Sequence, residues 1–163
     1  MPPVTCADAR AAIEHRRFDG WRGLPPDCTP DALFGVALDD TWGQLPLGAA
    51  HLPTRSRLLE LPGYYRPLAR VRDGRVVLFE GGNPALAGDL ADLLASLGAA
   101  DEVADYVFRD VAMPRGEHVH AGRGITLYVN PETMRVLHVA LYHPTTVDAF
   151  RRELQPELGE KRR

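Results

Sequence analysis

Apolar and polar residues alternate most clearly between residues 116 and 146. Every second residue is aliphatic along residues 125–129 and again along residues 137–141, with a Pro-Glu-Thr turn between the two runs. A period of two is typical of strands that bury one face. The pattern predicts a β-hairpin whose aliphatic face is core and whose other face, carrying Tyr128, His138 and Tyr142, is exposed.

A second hairpin is predicted around Asp73 and Gly74, because an Asp-Gly pair between apolar-containing runs is the strongest short hairpin signal. A two-residue turn sets the register, and the predicted pairs are Arg72 with Arg75, Val71 with Val76, Arg70 with Val77, and Ala69 with Leu78. The aliphatic members are predicted to face the core. The three arginines, Arg70, Arg72 and Arg75, are then left on the outer surface.

Helix signals occupy the rest of the pattern. Leucines recur at helical spacing over residues 86–97 before Gly98, which predicts a helix over residues 84–97. Thr5 with Asp8 resembles a capping box, and Thr29 precedes a proline that suits a first helical position. A closing helix is predicted after Thr145 or Thr146, with Val147, Phe150 and Leu154 on one stripe.

Strands broken by isolated helices, without alternating βαβ units, indicate an α+β fold. We expect an antiparallel sheet of two hairpin-containing halves with the helices packed on one face. Residues 1–156 are predicted to form a single domain, followed by a charged tail over residues 157–163. The length of 163 residues suits one ordinary domain with a sizeable core.

Composition narrows the possible partners. A formal net charge of -3 argues against a nucleic-acid binder, and no run of about 18 apolar residues is present to cross a membrane. Cys6 and Cys28 are too few for a disulfide framework or a zinc site, which favours a cytoplasmic location. Lys161 is the only lysine beside 18 arginines (19 basic residues minus one), which suggests a GC-rich bacterial origin.

Two histidines offer a possible metal site. His118 and His120 are two residues apart, so both point to one face of a strand, which is a spacing that two imidazole ligands need. His138 or His143 would add a third nitrogen, and Asp110 or Glu117 a fourth ligand. The alternative is that these are exposed histidines beside a turn, and we expect no bound metal or other cofactor.

Charge is divided unevenly along the chain. Residues 55–75 hold six arginines against two acids, 6 minus 2 giving +4, whereas residues 80–110 hold seven acids against one arginine, 1 minus 7 giving -6. Such asymmetry suits electrostatic steering of a partner. The alternative is that each of these two charged stretches is an ordinary solvated surface.

Residues 93–98 and 105–141 follow the order helix, Leu-Gly, acidic loop, strand and strand hairpin. This order resembles a module of beta-lactamase-inhibitor-protein-like domains and of small outer-membrane-assembly-lipoprotein-like domains. Members of those families are exported and bind other proteins. The resemblance therefore implies a protein-binding role.

No Gly-x-Ser-x-Gly elbow or other catalytic signature is present, so an enzyme is the less favoured interpretation. The sequence predicts a small protein-binding domain of immunity or accessory type, with Tyr128, His138, Tyr142 and the three arginines as its surface. One alternative is a metal-dependent enzyme or metalloprotein that uses the histidines of residues 118–143. Another is a small-ligand carrier with a pocket between helix and sheet.

Overall fold

The computed structural model describes residues 4–17, 23–34, 56–59, 61–82, 90–155 and 161–162. Its helices are α1 (Cys6–Glu14), α2 (Pro30–Phe34), α3 (Leu90–Leu97) and a short α4 (Val147–Ala149) that continues as a π-helix (Phe150–Leu154). Its strands are β1 (Ser56–Leu58), β2 (Tyr65–Arg72), β3 (Arg75–Gly82), β4 (Glu102–Phe108), β5 (Val111–His120), β6 (Ile125–Asn130), β7 (Arg135–Tyr142) and β8 (Lys161–Arg162).

All eight strands form one antiparallel sheet in the order β1-β2-β3-β7-β6-β5-β4-β8. Six longer strands form its body, and the short β1 and β8 lie at its edges. The two hairpin-containing halves join where β3 pairs with β7, for example at Phe79 and Leu141. The predicted α+β class and antiparallel sheet are confirmed.

The turn between β2 and β3 is the two-residue turn that the sequence predicts. Asp73 and Gly74 have φ angles of 52° and 74°, and positive angles at both central residues define the primed turn that matches strand twist. Arg72 pairs with Arg75 and Val71 with Val76, as predicted. The register then shifts, which the sequence does not reveal.

The shift results from a β-bulge at Val77 of β3, which is not paired with either Arg70 or Val71 of β2. Arg70 therefore pairs with Leu78 instead of Val77, and Ala69 pairs with Phe79 instead of Leu78. An extra residue on one strand moves all later side chains of that strand to the other face. The prediction that Leu78 shares a face with the two valines is accordingly wrong.

One face of the sheet packs against α1, α2 and α3, and we call it the α1 face. Its centre is the aliphatic set of β6 with Val136, Val139 and Leu141 of β7, together with Phe79 and Tyr64. A register shift between Tyr128 and Val129 places Val136 on this face and Leu137 on the opposite one, so the predicted alternation is wrong at these two residues. Helix residues that complete this core are Ala9, Ile13, Leu33, Leu93 and Leu97. Leucine burial in α3 agrees with the predicted stripe, whereas the predicted start of that helix near Asn83 and Pro84 lies outside the described residues.

The opposite face is covered by residues 147–154, and we call it the C-terminal face. Phe150 is fully buried and stacks on Tyr142 at 4.9 Å between ring centroids, with Val147 and Leu154 packed beside it. Helical structure therefore lies on both faces instead of one. Within the predicted charged tail, Lys161 and Arg162 pair with β4 as a short strand.

Local end signals explain where the short helices begin. In the capping box of α1, Thr5 Oγ1 accepts from the Asp8 amide at 3.1 Å and Asp8 Oδ2 accepts from the Thr5 amide at 3.0 Å. Thr146 Oγ1 accepts from the Ala149 amide at 3.1 Å, so Thr146 is the cap of the closing helix. These predicted caps are confirmed.

A disulfide joins Cys6 in α1 to Cys28, just before α2, with 5.3 Å between their Cα atoms. The prediction treated these cysteines as too few for a disulfide framework. The structure instead has one bridge, which links two short helices that pack on the same face of the sheet. Sequence spacing alone does not reveal such a contact.

Candidate functional site

The three rings predicted to form an exposed surface are buried in the C-terminal face. Tyr128 is 2% exposed, His138 3% and Tyr142 0%. Alternation placed them correctly opposite the aliphatic face, but residues 147–154 exclude solvent from that second face. The prediction that these rings are an accessible binding surface is therefore wrong.

Charged side chains accompany those rings. Glu80 and Glu117 are 1% and 0% exposed, and Glu80 Oε1 lies 3.5 Å from His138 Nε2. Tyr128 lies directly across the sheet from Glu117. Burial, together with the negative charges of Glu117 and Glu80, raises the pKa of Tyr128 well above its usual value, so Tyr128 remains a hydrogen-bond donor.

Arg151 connects this cluster to the C-terminal segment. Its Nη2 atom lies 2.7 Å from Glu117 Oε1 and 2.8 Å from Glu102 Oε2, while its Nε donates to Glu102 Oε2 at 3.1 Å. Burial lowers the pKa of Arg151, but hydrogen bonds and charge from Glu117 and Glu102 raise it by a larger amount, so the net effect is an increase. The guanidinium thus compensates a fully buried carboxylate and holds residues 147–154 on the sheet.

This buried polar cluster, formed by Glu80, Glu117, Tyr128, His138 and Arg151, has the residue types of a catalytic site but not its access. His138, Tyr128 and both glutamates are at most 3% exposed and are almost completely shielded from solvent. A substrate must reach a catalytic group before proton transfer can occur. We therefore assign the cluster a structural role in fixing the C-terminal segment.

An accessible site lies at the turn end of the hairpin formed by β2 and β3. An open cleft of about 500 Å³ is lined by Pro26, Arg72, Asp73, Arg75, Val77 and His143. We call it the hairpin cleft. It includes two of the three arginines that the sequence predicts as a binding surface, and Arg70 lies farther along β2.

The hairpin cleft concentrates positive charge. Arg72 and Arg75 are direct cross-strand partners, an arrangement of like charges that destabilises a sheet. Among the residues that line the cleft, Asp73 offsets one of the two charges, 2 minus 1 leaving +1, and Glu153 of the C-terminal segment contacts Arg72 from outside that lining. An anion placed between the two guanidinium groups would relieve their repulsion, so the geometry favours an anionic ligand or an acidic partner surface.

His143 forms the wall of the cleft. Its Nδ1 lies in hydrogen-bond contact with the Leu24 carbonyl oxygen, and its Nε2 lies 3.0 Å from the Val76 carbonyl oxygen. Both ring nitrogens therefore face main-chain carbonyl oxygens, which fixes the orientation of the ring in the wall. Arg75 also contacts this wall, since its Nη1 donates to the Pro26 carbonyl oxygen at 3.4 Å.

The histidines proposed for a metal do not come together. His118 and His120 pair with Leu127 and Ile125 on the α1 face, whereas His138 pairs with Tyr128 on the C-terminal face. Glu117, a predicted fourth ligand, also lies on that opposite face. No group of three or more candidate ligands is found within the described ranges. The predicted set of His118, His120 and His138 is therefore separated by the sheet.

His120 is instead an interior residue. It is 3% exposed, and its Nε2 is buried without a hydrogen-bond partner among the described residues. Burial and the positive charge of His118 lower its pKa, and burial likewise lowers the pKa of His118. Both rings therefore favour the neutral form.

Sequence reasoning missed the buried polar cluster, although a signal was present. Glu80 ends the apolar run Val-Val-Leu-Phe, and Glu117 lies between a glycine and the two histidines of β5. A charged residue within an apolar strand needs a partner when it is buried. Arg151, which supplies the partner for Glu117, could not be identified because it lies 34 residues later on another element, 151 minus 117.

The described residues contain no helix long and apolar enough to cross a membrane. No protein-family model, curated protein or solved structure matches this chain. A function for the hairpin cleft therefore has to be argued from its own geometry and charge.

Proposed function

We propose that this chain is a protein-binding domain of immunity or accessory type, and that the hairpin cleft binds an acidic surface of its partner. The observation that carries the proposal is the direct pairing of Arg72 with Arg75 at an open cleft. Like charges in that position cost stability unless a counter-charge is supplied. A partner carboxylate would supply it to Arg75, and would exchange with Glu153, whose carboxylate lies 4.0 Å from Arg72.

The shape of the molecule supports this choice over the central hairpin. Both faces of the β6–β7 hairpin are buried, one by helices and the other by residues 147–154. Arginine is enriched at protein interfaces because its planar group binds carboxylates with two hydrogen bonds. The resemblance of the second half to modules of protein-binding families is in line with the same role.

Charge reversal at the cleft tests the proposal. Tagged wild-type chain and the double variant Arg72→Glu/Arg75→Glu would each be used for affinity capture from the organism that makes the chain. We expect a specific acidic protein to be retained by the wild type and lost by the double variant. Capture should weaken as salt concentration rises, because exposed charges are screened.

Arg135→Glu provides a matched control. Arg135 is exposed and follows the turn of the second hairpin, as Arg75 follows the turn of the first. The control should retain the partner. Retention by the double cleft variant, or equal loss in both variants, would contradict the proposal.

A small-anion carrier is the second candidate, favoured by the cleft volume of about 500 Å³. Ligand pockets are commonly about 300–1,000 Å³, but they are mostly apolar and enclosed. Titration calorimetry with inorganic phosphate and with citrate would test this candidate. Tight one-to-one binding that Arg75→Glu abolishes would favour the carrier over the protein-binding domain.

We also propose that the chain acts in an oxidising compartment, in contrast to the predicted cytoplasmic location. The Cys6–Cys28 disulfide supports this proposal, since disulfides persist mainly outside reducing cytosol. Thiol labelling of the protein as isolated from its native source should leave both cysteines unmodified until reductant is added. Labelling of both without reductant would support the cytoplasm instead.

A further inference from the structure

The C-terminal segment places a carboxylate beside the arginines of the first hairpin. Glu153 Oε2 lies 4.0 Å from Arg72 Nη1, and the Glu153 main-chain oxygen accepts from Arg70 Nη1 at 3.5 Å. The Arg72 and Glu153 side chains are 41% and 50% exposed. This contact is therefore at the surface, next to the hairpin cleft, and is open to exchange with another anion.

The segment is fixed at one point and exposed at another. Phe150 and Arg151 are held by stacking on Tyr142 and by Glu117 and Glu102. Glu153 comes two residues later and is exposed. The buried polar cluster thus positions Glu153 at the arginines without burying it.

Arg70 has hydrogen-bonding capacity that this contact does not use. Its Nε is buried and has no hydrogen-bond partner in the described part of the chain, and the bond from its Nη1 to Glu153 is long at 3.5 Å. A guanidinium group binds a carboxylate best through two parallel bonds. Glu153 offers Arg70 only a main-chain oxygen.

From these contacts we propose that Glu153 is an internal competitor for the hairpin arginines, and that an acidic partner displaces its carboxylate from Arg72. This inference rests on the proposed function. It assigns the C-terminal segment a regulatory role at the same surface. The competition is weak, because an exposed ion pair of this kind contributes little free energy.

A labelled acidic peptide measures the competition. Binding of a short fluorescein-labelled oligoglutamate to the full chain would be followed by fluorescence anisotropy at low ionic strength. Glu153→Gln should bind the peptide about two- to fivefold more tightly than the wild type, the range expected when one exposed ion pair is removed. Added salt should reduce this difference.

Asp148→Asn is the matched control because it changes the net charge equally on the same segment. Asp148 is 87% exposed in its side chain and pairs with Arg152 at 3.5 Å instead of with a hairpin arginine. We expect the control to bind the peptide as the wild type does. Equal tightening in Asp148→Asn and Glu153→Gln would reduce the effect to net charge and overturn the inference.

The design separates failure of the inference from failure of the proposed function. If Glu153→Gln and wild type bind alike while Arg72→Glu/Arg75→Glu loses binding, the internal competition is wrong and the cleft function stands. If the double variant binds as tightly as the wild type, or if no form binds the peptide, both are overturned.

Discussion

Single side chains determine which face of this sheet is accessible. Arg151 neutralises Glu117, whose carboxylate is fully buried, and in doing so fastens residues 147–154 over Tyr128 and Tyr142. A buried carboxylate without a partner would be costly. The arginine therefore converts a face that strand alternation alone marks as solvent-exposed into a second core.

Replacing Arg151 tests that role. Arg151→Ala leaves Glu117 buried without its cation, and we expect the free energy of unfolding to fall by about 3 kcal/mol or more. Arg152→Ala is the neighbouring control, because Arg152 pairs only with the 87% exposed Asp148 among the ion pairs of the described residues, and should cost at most about 0.5 kcal/mol. Urea unfolding would measure the loss of stability in both variants. Similar losses would contradict the role of Arg151 in fixing residues 147–154.

His120 gives stability a dependence on pH. Its pKa is lowered in the folded chain by burial and by His118, so the unfolded chain binds more protons once pH falls below the ordinary histidine value of about 6.5. The stabilising contribution of the neutral ring is present above that pH and is lost as pH falls through the lowered value.

We therefore expect the free energy of unfolding to fall as pH drops below about 6.5. The decline should be smaller in His120→Gln, which has no ring to protonate at that position. Denaturant unfolding at several pH values would measure it. Equal slopes in the two proteins would show that another group controls the pH response.

The first hairpin shows how far an element can be predicted from its turn. Asp73 and Gly74 fix the pairs nearest to them, Arg72 with Arg75 and Val71 with Val76, because the turn geometry sets the register. Beyond the bulge at Val77 of β3 the predicted register fails. No residue in this strand marks the bulge, because valines occupy both position 76 and position 77.

We expect the stability of that turn to depend on glycine at position 74. Its φ of 74° is unfavourable for a β-branched residue, and a Cβ there would meet no atom within 4 Å, so backbone conformation alone sets the cost. Gly74→Val should lower the free energy of unfolding by about 1–2 kcal/mol. Gly74→Asn should cost less, since Asn tolerates positive φ. Thermal unfolding that ranks the variants in the opposite order would argue against a primed turn.

In the second hairpin the faces of β6 were predicted correctly, whereas those of β7 were predicted correctly only from His138 onward, because a register shift exchanges the faces of Val136 and Leu137. The faces of Ile125, Leu127 and Val129 follow directly from alternation, and these residues form the core against the helices. The cover over the other face depends on packing between residues far apart in sequence. Phe150 and Tyr142 stack through such a contact, and periodicity within one strand contains no information about it.

In the molecule as a whole, coverage of both sheet faces leaves the end of the first hairpin as an open cleft with charged walls. Arg72 and Arg75 were predicted as surface residues, and the structure adds Pro26 and His143 to them as cleft walls. Pro26 could not be predicted because its loop reaches β7 only through tertiary contacts, such as the Leu24 amide with the Tyr142 carbonyl at 3.1 Å.

Hydrogen–deuterium exchange of the captured complex tests the central claim most directly. If the hairpin cleft is the interface, peptides that contain Arg72 to Arg75 and His143 should become protected when the partner binds. Peptides from α1 and from the β6–β7 hairpin, already buried in the free chain, should change little. Protection confined to α1 and α2 or to the β4–β5 edge, with no change at the first hairpin, would contradict the proposed binding surface.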